Sequence, residues 1–179
     1  MRAGLPRLTF VLGGSRSGKS RFAQGLMPTE APVIYWATGL PVDAEMKKRI
    51  AIHRQSRPKH WGLLEEPCDL LQGLKKLRAA GAKLVLLDSL TAWVANVSSP
   101  DSLPETLSSP LSELRRFLEA LKNARLHCVI VSDEVGMGIV PETAIGRKFR
   151  DVLGDANQIV AAASDRVYCV IAGIPRKIK

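Results

Sequence analysis

Eight consecutive residues carry the clearest chemistry in this chain. Gly13-Gly14-Ser15-Arg16-Ser17-Gly18-Lys19-Ser20 matches the phosphate-loop pattern G-x-x-x-x-G-K-[ST] with no position missing. Glycines let the backbone wrap a phosphate without Cβ clashes, and backbone N–H groups at a helix start then supply positive potential. In that geometry Lys19 reaches the β and γ phosphates and the Ser20 hydroxyl ligates Mg²⁺. The setting agrees: an apolar run, Leu8 to Leu12, precedes the loop, and Arg21 to Met27 can open a helix. A metal-side carboxylate is the natural companion. Lys83-Leu84-Val85-Leu86-Leu87-Asp88 offers an apolar strand ending in an acid, the Walker B pattern. Asp88 is expected to hold Mg²⁺ directly or through water, the bland alternative being a cap on the segment that follows. The two motifs indicate a nucleoside triphosphate and magnesium, but they leave the acceptor open.

A histidine supplies a second kind of chemistry. Asp43 to Pro58 reads as a helix, with Asp43 as N-cap and Pro58 as its stop. Met46, Ile50, His53 and Arg57 share one face. Six basic residues and no acid lie between Lys47 and Lys59. His53 can be an incidental member of a solvated basic face. It can equally face a bound triphosphate, where neighbouring cations disfavour a further positive charge and leave the ring neutral and nucleophilic. The same arginines would offset charge building on a phosphoryl group. His60 and His127 lack such settings; His127 opens a predicted strand and reads as structural, His60 as packing or surface.

The elements that must position these residues are legible as short apolar runs. Leu8–Leu12, Val33–Ala37, Leu84–Leu87, Cys128–Val131 and Val167–Ala172 read as strands covered on both faces, since none alternates cleanly. Between them lie helical stripes: Leu70, Leu71, Leu74 and Leu77, ended by Gly81, and Leu111, Leu114, Leu118 and Leu121, introduced by Pro110. Strands alternating with helices predict an α/β fold with a largely parallel sheet. Ser98 to Pro110, with three Pro and five Ser, reads as a surface loop within one domain spanning 1–179. The 179 residues suit a single core, and 46% hydrophobic with 24% charged residues excludes a wholly disordered chain. No apolar run approaches the roughly 20 residues a membrane span needs, and residues 1–7 do not form a secretory signal. Cys68, Cys128 and Cys169 have no metal-type spacing, so a reduced, cytoplasmic protein is expected. The net charge of +9 favours anionic partners, and its concentration around His53 and the phosphate loop favours a triphosphate over a nucleic-acid track.

With these residues in view, the chain resembles the bifunctional adenosylcobinamide kinase/adenosylcobinamide-phosphate guanylyltransferases of cobalamin synthesis. The resemblance runs through Gly13–Ser20 and Tyr35-Trp36-Ala37-Thr38, then Arg49-Ile50-x-x-His53 to Arg57-Pro58-x-x-Trp61. It continues in Leu86-Leu87-Asp88-Ser89-Leu90-Thr91-x-Trp93, in Glu134-Val135-Gly136-Met137-Gly138-Ile139-Val140-Pro141, and in the closing Gly173-Ile174-Pro175. It implies a RecA-like P-loop fold and two reactions. The first phosphorylates adenosylcobinamide with ATP or GTP. The second transfers GMP from GTP to the resulting phosphate through a guanylylated histidine, here His53, giving adenosylcobinamide-GDP and pyrophosphate. Further nucleotide contacts are implied at Ala37, Thr38 and Gly39, at Arg54, Gln55, Ser56 and Arg57, and at Glu65 and Asp88. A homotrimer with sites between subunits, a corrinoid substrate and no nucleic-acid partner are implied as well. Ser89, Ala92, Asp133, Ala172 and Arg176 depart from the family pattern; Asp133 stands where Asn is usual. Three other readings remain at this point: a small-molecule kinase that never uses His53, a nucleic-acid-stimulated ATPase, and a regulatory nucleotide-binding module.

Overall fold

The structure is a computed structural model and describes residues 6–55, 57–98 and 109–179. Along the chain it forms β1 (Leu8–Gly13), α1 (Lys19–Gly25), β2 (Val33–Ala37), α2 (Ala44–Gln55), β3 (Gly62–Glu65), α3 (Leu70–Ala79) and β4 (Leu84–Asp88). There follow α4 (Leu90–Val97), α5 (Pro110–Lys122), β5 (His127–Asp133), α6 (Ala144–Ala163), β6 (Arg166–Ile171) and β7 (Ile174–Lys177). The strands make one seven-stranded sheet in the order β3-β2-β4-β5-β1-β6-β7. All neighbours pair parallel except β6 with β7.

The unbroken apolar runs have a simple cause: successive strand residues enter opposite cores. Phe10, Trp36, Val85, Leu87, Cys128 and Ile130 join α3, α4, α5 and α6 on one face. Val11, Tyr35, Leu84, Leu86, Val129 and Val131 pack with Ala23 and Met27, at and just beyond α1, on the other. Burial pushes the Cys128 thiol up to about 12, which makes it an inert core group. Local chemistry sets the helix starts. The Asp69 carboxylate accepts the Gln72 N–H at 2.7 Å, and Pro110 occupies the first turn of α5. Glu113, 7% exposed on α5, accepts the Leu70 N–H at 3.2 Å, so a buried acid serves an orphan donor of α3. Burial holds its carboxyl above the usual range.

The five expected strands are present, with small shifts at their ends. One needs correction: Ala172 lies outside β6, in a two-residue turn before β7. Ala172 and Gly173 have φ of 50° and 82°, as a tight hairpin that follows strand twist demands. The edge strands β3 and β7 and the helices α4 and α6 were not anticipated. Of the Ser98–Pro110 loop, residues 99–108 lie outside the described residues. Among the described residues, no helix is long and apolar enough to cross a membrane.

Gly73 shows how tightly α3 seats on the sheet. A Cβ there would overlap the six-membered ring of Trp36, itself 1% exposed. Gly73→Ala is therefore expected to destabilise the fold by about 1–3 kcal/mol through overpacking. The check is the urea midpoint, which should fall with an unchanged slope.

Candidate nucleotide site

Parallel pairing brings the carboxyl ends of six strands to one edge, and nearly every residue singled out above lies there. β1 stops at Gly13, and the chain turns through Gly14–Gly18 into α1. Gly13 cannot carry a side chain: its Cβ would stand 2.5 Å from Ser17 Oγ and 2.6 Å from the Val170 carbonyl oxygen. Gly18 has a φ of 90°, where glycine alone is unstrained, and it caps the helix that begins at Lys19. The loop is closed by Ser17 N–H donating to the Gly14 carbonyl at 3.2 Å. It is braced from the β6–β7 turn, where the Gly173 N–H donates to the Ser17 carbonyl at 2.8 Å. Gly14, Ser15 and Arg16 are exposed, and Ser20 is half-buried.

Lys19 does not point into empty space. Its ammonium donates to the Gly14 carbonyl at 3.3 Å and forms an ion pair with Asp133. Asp133 ends β5, the neighbour of β1, and pairs in register with Gly13. The metal-side carboxylate expected from the sequence, Asp88, stands at the same edge one strand farther out. β4, which carries Asp88, is separated from β1 by β5. The signal that could have found Asp133 was present: β5 is also an apolar run ending in an acid, His127-Cys128-Val129-Ile130-Val131-Ser132-Asp133.

Asp88 belongs to a second cluster on the same edge. Ala37 pairs with Glu65 on one side and Asp88 on the other, so the three stand in one row. The Tyr35 hydroxyl donates to Asp88 Oδ2 at 3.0 Å. The Arg57 guanidinium carbon lies 4.2 Å from the centre of the Tyr35 ring, a cation–π contact. Thr38 is fully buried; its hydroxyl donates to the Ser89 carbonyl at 2.7 Å and accepts the Ser89 N–H at 2.9 Å. That hydroxyl therefore joins β2 to β4. Gly39 lies under α2, with a would-be Cβ 3.9 Å from the Ile50 side chain. Glu65 and Arg54 are exposed.

His53 lies on α2, near its C-terminal end. The side chains of His53 and Gln55, and the whole of Ser56, lie outside the described residues. The two other histidines stand as read from the sequence. His127 Nδ1 is 3.0 Å from the Pro6 carbonyl, and His60 is exposed.

Among the described residues, two buried polar atoms on these motifs have no hydrogen-bond partner, Ser17 Oγ and Arg57 Nε. Such orphans are costly unless a ligand or water satisfies them. Both are suited to an anion at this edge: one is a hydroxyl within the loop, the other a guanidinium N–H beside Tyr35.

Comparison with known proteins decides the family. Residues 9–178 match the family described as cobinamide kinase / cobinamide phosphate guanyltransferase. This chain belongs to that family. A "Bifunctional adenosylcobalamin biosynthesis protein CobU" of Escherichia coli is 38% identical, over 96% of this chain and 99% of its own. A CobP protein of the same description from Pseudomonas aeruginosa is 39% identical, over 94% of this chain and 95% of its own. The solved structure of a KaiC-like protein from Pyrococcus horikoshii superposes with a TM-score of 0.53 at 12% identity, covering 91% of this chain and 70% of the other. That likeness supports the RecA-like P-loop fold expected for the cobinamide kinase/guanyltransferase family.

Tyr35 yields a test of the second cluster. Burial, then the Asp88 charge and its hydrogen bond, push the phenol far above its ordinary range, with Arg57 pulling weakly the other way. A raised folded value means the stabilisation is full below the unfolded phenol range near about pH 10 and is lost as pH climbs beyond it. Of the two tyrosines, Tyr35 is expected to ionise only together with alkaline unfolding. Absorbance at the phenolate band, followed beside circular dichroism, checks this. Tyr35→Phe should cost about 1 kcal/mol while keeping the ring under Arg57.

Proposed function

We propose that this chain performs both reactions of its family, in a nucleotide site at the carboxyl edge of the sheet. The observation that carries the reading is the complete phosphate loop, closed and helix-capped at Gly13–Ser20, in a chain that matches the family over residues 9–178. The substrates are ATP or GTP and a corrinoid, adenosylcobinamide and then its phosphate.

In the kinase step the corrinoid hydroxyl attacks the γ phosphate. The loop amides and Lys19 stabilise the charge that gathers on the transferred group and on the leaving diphosphate. In the transfer step a neutral His53 ring nitrogen attacks the α phosphorus of GTP. A P–N bond forms, the bond to the β-phosphate bridging oxygen breaks, and pyrophosphate leaves. An oxygen of the corrinoid phosphate then attacks the same phosphorus and breaks the P–N bond, which frees the imidazole and releases adenosylcobinamide-GDP. Splitting one transfer into two is covalent catalysis by an activated nucleophile. Arg54 and Arg57, on and just beyond α2, supply positive charge beside the reacting phosphorus. Glu65, at the outer end of the row with Ala37 and Asp88, can accept N–H groups of guanine. The hard oxygen donors of Ser20 and Asp88 suit Mg²⁺, which commonly keeps several waters and takes one or two protein ligands with the phosphates. Magnesium would neutralise phosphate charge there. A homotrimer is the proposed assembly, and the exposed Met137, Ile139 and Val140 offer it an apolar surface.

The test is covalent labelling with α-³²P-GTP and Mg²⁺, followed by denaturation. Wild type should retain an acid-labile, base-stable label, and His53→Ala none, while ATP-dependent phosphorylation of adenosylcobinamide survives in His53→Ala. Lys19→Met should lower both reactions, by about 10²–10³ for loss of one charge-stabilising donor. A folded wild type that phosphorylates the corrinoid but takes no label would leave the kinase alone. Phosphate release stimulated by DNA or RNA would point to a nucleic-acid-dependent ATPase instead.

A further inference from the structure

We infer that Asp133 is a positioning residue that holds Lys19 in reserve and makes nucleotide binding depend on a divalent cation. The inference deepens the nucleotide site proposed above and rests on that reading.

Two facts about Asp133 carry it. The first is what its carboxylate touches: it pairs with Lys19, whose side chain is 12% exposed and whose ammonium also donates to Gly14 within the loop. The lysine that must meet phosphate thus has a carboxylate competing for its charge. The second is how firmly the acid is mounted. Its N–H donates to Thr91 Oγ1 of α4 at 2.7 Å, and its carbonyl accepts from Asn157 Nδ2 of α6 at 3.0 Å. Asn157 is 5% exposed and takes a 2.7 Å hydrogen bond from the Ser132 hydroxyl. Thr91 stands 3.4 Å from the same hydroxyl. Two helices, α4 and α6, therefore pin the backbone of Asp133, whereas Lys19 ends a long flexible stem. When a triphosphate enters, Lys19 moves and Asp133 stays.

The consequence is electrostatic. A metal-free triphosphate takes Lys19 from Asp133 and is left facing an unpaired carboxylate across a site partly closed to water. Like charges in such a setting repel strongly. A triphosphate arriving with a divalent cation brings the countercharge that Asp133 loses. Asp133 thereby penalises the bare nucleotide and spares the metal complex. A neutral residue of the same shape would remove the penalty, leaving Lys19 free for phosphate in either case.

The experiment measures GTP affinity calorimetrically, in Mg²⁺ and in EDTA, for wild type, Asp133→Asn, Asp133→Glu and Asp133→Ser. Wild type is expected to bind the magnesium complex much more tightly than bare GTP. Asp133→Asn should bind bare GTP about tenfold more tightly than wild type, one pairwise charge repulsion being removed, while its affinity for the magnesium complex moves far less. Asp133→Glu, which keeps the charge, should keep the wild-type preference, and Asp133→Ser should follow Asn should the amide prove unfolded. Parallel weakening of both affinities in Asn and Ser would mean a merely structural acid and overturn the inference. So would an unchanged ratio with wild type binding normally, and in that case the nucleotide site itself stands. Failure of wild type to bind GTP under either condition overturns both readings.

Discussion

Parallel pairing of β1 with β5 and β6 aims three strand ends at one edge, and the rest of the site depends on that alignment. Each inner strand is buried on both faces, so its apolar side chains alternate between two cores and its polar business is confined to its carboxyl end. Gly13, at the end of β1, can approach Val170 and Ser17 because it lacks a Cβ. From that point the loop turns, α1 begins, and its unpaired N–H groups face outward. Sheet register then places Asp133 beside Gly13 and aligns Ala37, Glu65 and Asp88 farther along. Gly13, Asp133, Ala37, Glu65 and Asp88 need no placement beyond what the ladder already imposes.

The site has two supports. One is the phosphate loop at the end of β1, and the other is α2, which carries His53. At α2 the Ile50 side chain covers Gly39, and just beyond it Arg57 lies on the Tyr35 ring. The proposed relay divides along the same line, with the triphosphate at the loop and the GMP acceptor on the helix.

Much of this was readable in the residues, for reasons that also explain what was missed. Buried parallel strands announce themselves as short runs of Val, Ile and Leu, and the phosphate loop is a local backbone device written in adjacent residues. β3 and β7 are edge strands whose residues are mostly or wholly exposed, and Pro175 sits in β7, so neither carries an apolar run. In α6 the inward positions include Ala156 and Asn157 beside Leu153 and Val160, which blurs the apolar stripe a bulkier helix would show. The partner of Lys19 is a contact the motifs do not mark. Both β4 and β5 end in Asp, and only strand order tells which acid stands next to the loop. That order is a tertiary fact, unavailable from motif spacing. Thr38, which the family pattern implies as a nucleotide contact, also has a structural task that the sequence does not show: its hydroxyl binds Ser89.

The brace between Gly173 and Ser17 has a consequence for how the protein is made. β1 and the phosphate loop leave the ribosome before β5, β6 and the β6–β7 turn. Until they arrive, β1 lacks both of its hydrogen-bonding neighbours and Ser17 lacks the N–H that fixes its carbonyl. Such long-range pairing is slow to close and leaves apolar strands uncovered in the meantime. The nascent chain thus carries the whole phosphate-binding motif without its full bracing until β5, β6 and the β6–β7 turn have emerged.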